Sequence, residues 1–448
     1  MSIKQRQILF GVFVLAFLVI TPLIIIYAAG YKIDNKNWRL EKTGMLIAES
    51  EPENANIYIN DKVQTTFFKK TLSGKSGSVV TPAKIKNLLP GNYDIKIELD
   101  GYWPWQKKLT IEPGKTTYAE DIYLFKKNLP ILILNNGIID LKISPNKKYL
   151  SAATVDQLTI INLATETKTT KSIKNLSSDK ILWSSKSNKI LVNDSVLDIP
   201  KLDEEATIDA LTDSDTTNIK WEEEKLLYLQ HNSIYSYNSI TNKSQEIFSA
   251  EKIIDFKIKG EQLYALTESN SKNYLEIYKL NDKQLLRTII LPYRSRYSLD
   301  DFQNNLITLR DENHDIIYLI DPTSTRISPV EEIINQVKQS QWVDGNKLLY
   351  ANDFEIWLYD TDSRRQNLIT RISDKINFIA WHPSNNYVIY TTDKAIYAIE
   401  LDKRDKMEIN ELLKIDNISM PQLNQTSKII YFNAKIGKQE GLYKLYIH

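Results

Sequence analysis

The 448-residue chain contains no cysteine. That excludes disulfides, thiolate nucleophiles, Cys-ligated zinc, iron–sulfur clusters and lipid attachment through sulfur. Histidine is almost as scarce. The four, His231, His314, His382 and His448, form no short-spaced pair, so a histidine-built metal site is not expected, nor any other cofactor. The chain also lacks an excess of one charge: 57 Lys and Arg against 56 Asp and Glu leave +1. Gripping nucleic acid requires a basic surplus to displace counterions, so nucleic acid is not an expected partner. Neither a Gly-x-Ser-x-Gly elbow nor a His-Glu-x-x-His pair occurs. The common hydrolase signatures are therefore absent, and the expectation is a non-enzyme. An apolar content of 42 % supports real cores, and 25 Tyr with 8 Trp lean the chain towards strands.

One long apolar run exists. Ile8 to Ala29 carries no charge, and about 22 helical residues reach roughly 33 Å, enough for a hydrocarbon core of about 30 Å. Pro22 is expected to bend that helix, a break that membrane helices tolerate. Tyr27 and Tyr31 stand where an interfacial aromatic belt would. A cleaved signal has a shorter apolar region and a small-x-small site, so the run reads as an uncleaved anchor. Lys4 and Arg6 on one flank nearly balance Lys32, Lys36, Arg39 and Lys42, offset by Asp34 and Glu41, on the other. The short N-terminal tail then favours an N-in orientation. The expected divisions are a cytoplasmic tail at 1–7, the anchor at 8–29, a polar connector at 30–42, a small β domain at 43–125 and a repeat domain at 126–448.

In the small domain, Ala55, Ile57 and Ile59 alternate with polar residues, as do Tyr93, Ile95, Ile97 and Leu99. Pro90-Gly91 and Asp100-Gly101 punctuate these strands. The pattern predicts a small antiparallel sandwich. Ser50-Glu51-Pro52-Glu53-Asn54-Ala55, then Tyr58-Ile59-Asn60, Thr81-Pro82, Leu88, Gly91-x-Tyr93 and Gly101-Tyr102 resemble the PEGA domain, a family similar to surface-layer proteins. The resemblance implies a contact with cell-surface polymer or protein. Asn54 stands where the family turn has Gly, and Asp61 to Val80 reads as an insert. Ser73 to Gly77 in that insert superficially resembles a phosphate loop but lacks the leading Gly, and it reads as a flexible loop. Tyr102, Trp103 and Trp105 flank Pro104. They read chiefly as packing across the hairpin, with an aromatic binding surface as the alternative.

The remaining chain is repetitive. An apolar strand, a polar turn and a second apolar strand recur from Leu141, Ile181, Ile219, Asp255, Leu299, Gln339, Phe378 and Ser419, at spacings of 36 to 44 residues. A period of about 40 with short strands marks propeller blades. Trp183, Trp221, Trp342 and Trp381 hold one position in four copies and read as packing residues. The turns resemble WD40 and TolB-like propellers, without the Trp-Asp ending. The eighth copy stops after three strands, and Asn128 to Asn135 precedes the first as an unassigned apolar strand. It is expected to complete the last blade and close the ring.

The acidic stretch from Asp203 to Asp215 contains no Gly for a calcium turn and reads as a solvated connector. The expected fold class is all-β: one membrane helix, a PEGA-like sandwich and an eight-bladed propeller, with seven blades as the alternative if the Ile181 copy is absorbed. The expected role is an extracytoplasmic, membrane-anchored scaffold binding surface protein or polysaccharide. A propeller hydrolase or lyase is one alternative, and a sensor acting through a partner membrane protein is another. The small domain reads as separable from the propeller.

Overall fold

The computed structural model describes residues 3–34, 38–65, 77–222, 224–238, 241, 243–300, 302–326 and 328–448. Helix α1, Ile3–Ala28, runs continuously through Pro22. Its Gln5–Ala28 portion has a mean hydropathy of 3.0 and no residue buried against the rest of the chain. It is long and apolar enough to cross a membrane. The expected polar connector contains two short strands, β1 (Tyr31–Asp34) and β2 (Arg39–Lys42), paired antiparallel.

The small domain is a two-sheet sandwich. One sheet holds β3 (Gly44–Glu51) between β6 (Ala83–Leu88) and β9 (Thr116–Tyr123). The other runs β5 (Lys62–Val63), β4 (Asn56–Ile59), β7 (Gly91–Glu98) and β8 (Trp105–Ile111). Leu46, Ile57, Ile95, Ile97 and Leu109 fill the space between them. The sandwich is not wholly antiparallel as expected, because β3 and β9 pair in parallel. The chain returns beside its own starting strand only after circling the opposite sheet. The motif residues tie the turn together: Ser50 and Thr81 hydroxyls lie 2.7 Å apart, and the Ala55 amide donates to Thr81 Oγ1 at 3.1 Å. Asn54 adopts φ of 68°, a left-handed conformation that Asn tolerates in place of Gly. Residues 66–76, which carry most of the phosphate-loop-like stretch, lie outside the described residues.

Among the described residues the repeats form eight four-stranded sheets, one for each copy, the Ile181 copy included. Four of their hairpin turns share one construction. Lys147, Ser187, Asn385 and Ser427 all take positive φ and donate to the carbonyls of Ser144, Ser184, His382 and Asn424. A side-chain oxygen on Ser144, Ser184 or Asn424 then accepts the amide five residues on. Short polar residues suit that position because they replace a missing backbone acceptor. The acidic stretch is partly strand: Glu204–Thr207 is the fourth strand of the second sheet, not a connector.

The eighth sheet closes as expected. Strand β10 (Ile131–Leu134) pairs with Gln439–Tyr446 as its outermost member, matching Ile131 with Lys444 and Leu132 with Tyr443. Further ties join it to the first sheet. Lys444 bonds Glu166, and Lys168 Nζ donates to Ile133 O at 2.8 Å.

Candidate functional site

The three aromatic residues lie at the seam between the small domain and the propeller. Strand β8 turns Trp105, Lys107, Leu109 and Ile111 to one face. Trp105 is 3 % exposed, and its Nε1 donates to Glu400 Oε1 at 2.8 Å. Two residues on, Lys107 is fully covered and reaches Glu400 Oε2 at 2.6 Å and the Asp402 carbonyl at 2.8 Å. Trp103 packs on the propeller core, with Lys127 Nζ 4.8 Å above its ring. Tyr102 packs on the sandwich core and sets its edge to His448. They are joint-forming residues, held by partners 295 positions away in the case of Trp105. No sequence-local signal marks such a partner.

Around the joint, Leu124 enters the sandwich core while Tyr123 and Phe125 enter the propeller core beside Tyr387, Phe432 and Tyr443. The division at 125/126 thus falls inside a shared hydrophobic seam. Tyr123 sits between two of the four histidines, stacked on His448 at 4.0 Å and against His382 at 4.4 Å. Burial, aided by the charge of His448, pushes His382 down to about 4. Burial lowers His448 as well. His382 occupies the hairpin-turn position held elsewhere by Ser or Asn, and its Nδ1 faces Ser384 Oγ at 2.8 Å.

A cavity of about 1020 Å³ opens on the inner strands of the third to seventh sheets, among Lys220, Trp221, Lys257, Gln303, Arg310 and Lys338. Several of its cations already have structural work. Lys220 meets Asp255 at 2.5 Å and the Phe256 carbonyl at 2.8 Å. Arg310 bridges Asp300 and Ser340, and Lys338 meets Asp315 at 2.5 Å. The repeated Trp residues do the packing expected of them and also tie sheet to sheet. Trp183 donates to Ser151 Oγ, Trp221 to Leu182 O and Trp342 to Thr308 Oγ1, each in the preceding sheet. Trp381 departs from this by bonding Asn385 in its own turn.

A second cleft, about 630 Å³, is lined by His314, Asp315, Asp353, Phe354, Glu355 and Arg371. Here His314 Nδ1 lies 2.8 Å from Asp311 Oδ2, and the Asp311 side chain is wholly covered. The carboxylate orients the ring and leaves its other nitrogen for the cleft. The pair has i, i+3 spacing in a strand-ending turn, and no short sequence motif announces it. Among the described residues no group of three His, Asp or Glu is placed to hold a metal ion.

Comparison with known proteins agrees with this architecture. Residues 71–122 match the PEGA domain model. No curated protein matches the chain. Among solved structures, the C-terminal WD40 domain of Sif2 superposes with a TM-score of 0.51 at 11 % identity, over 71 % of this chain and 98 % of that one. The Dos1 propeller gives 0.50 at 12 % identity, over 72 % of this chain and 95 % of that one. At such identities the likeness is one of fold. The chain therefore combines an apolar N-terminal helix, a PEGA domain and a WD40-like β-propeller.

Proposed function

We propose that this chain is a membrane-anchored, non-catalytic scaffold whose PEGA domain and propeller stand outside the cytoplasm and bind a cell-surface protein or polymer. One observation carries the reading: the two β domains are joined by the covered Lys107–Glu400 pair and the buried Trp105, so the helix bears a single stiff body. A rigid propeller with loops at its channel mouth makes a broad recognition surface. The cavity on the inner strands, which is the propeller's channel, supports binding over chemistry, since its Lys220, Arg310 and Lys338 are already engaged by carboxylates. The test is co-purification from membranes after cross-linking, with the native chain and with Gln303→Arg, which narrows the channel. A surface component retained by the native chain and lost from the variant is the expected result. Equal recovery from both would remove the channel from the account.

The Asp311–His314 pair beside its cleft favours a second reading, an extracytoplasmic hydrolase, because an oriented imidazole is a general base. A panel of ester and glycoside substrates distinguishes the two. Turnover that His314→Gln abolishes would establish the enzyme and displace the scaffold.

A further inference from the structure

The parallel pairing of β3 and β9 slips in register: Ala48 matches Ala119, yet Ser50 matches Ile122. Two residues, Glu120 and Asp121, therefore oppose Glu49 alone. Such a bulge re-aims side chains. The result is a cleft of about 550 Å³ at the seam, lined by Glu49, Glu51, Glu53, Asp121, Tyr123 and Ser384. Glu49, Glu53 and Asp121 make no ion pair or side-chain hydrogen bond among the described residues. Glu51 has Lys428 at 3.6 Å and His448 at 4.0 Å.

Acidic residues on a surface are ordinarily just solvated. The second feature here is Tyr123. It is 5 % exposed, it lines the cleft, and its hydroxyl has no partner. Burial and the charge of Glu51 raise its pKa, so it stays neutral. Buried hydroxyls are normally paired, and an unpaired one invites a donor or acceptor from outside. The rim is dominated by carboxylates, of which Lys428 and His448 engage Glu51 alone, and that repels anions. A divalent metal would need three closely grouped ligands, a set that the described residues do not provide. An ammonium group offers three donors and no acceptor, and so complements both the carboxylates and the phenol oxygen.

We infer that this cleft binds the ammonium end of an alkylamine, either a free diamine or a lysine side chain. The inference is separate from the scaffold reading and is read out without any surface partner. The experiment is calorimetry on the full chain in nanodiscs at low salt, with cadaverine, Nα-acetyl-lysine methylamide and the uncharged 1,5-pentanediol. Both amines should bind saturably and the diol should not. Glu49→Gln with Asp121→Asn should weaken both amines about tenfold, since charge-assisted hydrogen bonds are lost, without altering the melting temperature. Tyr123→Phe should weaken them less. Tighter binding of cadaverine identifies a free diamine as the ligand, and parity identifies a single side-chain ammonium. Failure of both amines at millimolar concentration, equal binding of the diol, or unchanged affinity in a carboxamide variant that melts like the parent would overturn the inference.

Discussion

Gly441 has no side chain, and the closing strand depends on that. A Cβ built there would stand 1.9 Å from the Leu134 carbonyl oxygen, inside any real contact. Gly441→Ala should therefore push β10 away from its partner and cost about 1–3 kcal/mol. A thermal melt against a control substitution at Gly437, where a Cβ meets nothing within 4 Å but φ is 62°, separates the closure clash from simple loss of glycine flexibility. His382 gives a second residue-level test. Its folded pKa lies near 4, below the ordinary value of 6.5. The unfolded chain therefore takes up a proton first as pH falls. Stability from the neutral ring is complete above about 6.5 and is lost as pH drops towards 4, on the order of 3 kcal/mol. His448, also lowered, acts in the same direction. The melting temperature should fall between pH 7 and pH 4.5, and His382→Gln should flatten that decline. An unchanged slope in the variant would place the sensitivity elsewhere.

At the scale of elements, the joint is where sequence and structure part. The strands themselves are legible from alternation, the repeat period from the recurring turns, and β10 as the closing strand from the missing fourth strand of the last copy. The fusion of the two β domains is not. Lys107 reads in sequence as one more polar residue on a half-buried strand, because its partner Glu400 lies almost three hundred positions away. Likewise Tyr102, Trp103 and Trp105 read as packing across their own hairpin, and nothing in the sequence points to the propeller as what covers Trp103 and Trp105. Breaking the covered pair with Lys107→Met leaves Glu400 buried with Trp105 Nε1 as its remaining bond, and should cost about 3–5 kcal/mol. Lys107→Met with Glu400→Gln, which removes the buried charge and keeps an acceptor for Trp105 Nε1, should recover most of that loss. Denaturant unfolding of the two single variants and the double variant measures the coupling. Additive losses would mean that the pair does not hold the joint. The expected independence of the small domain is revised for the same reason. A chain starting at Asn128 loses Tyr123 and Phe125 from the propeller core and should melt well below the full protein. A chain lacking Asn128 to Asn135 should in addition aggregate, since it uncovers the edge of Gln439–Tyr446.

For the whole molecule, the proposed role requires one rigid β body carried outside the cytoplasm by an uncleaved helix. The complete lack of cysteine makes that directly measurable, because a single introduced thiol is the chain's sole maleimide target. Val155 is 62 % exposed on the first propeller sheet's hairpin, so Val155→Cys places a label on the propeller without disturbing a core. Intact spheroplasts are treated with a membrane-impermeant maleimide and then fractionated. The account predicts a labelled, membrane-bound species of the full 51.9 kDa before any lysis. Labelling only after lysis, or a labelled species that is soluble and shortened by the length of the apolar helix, would contradict it.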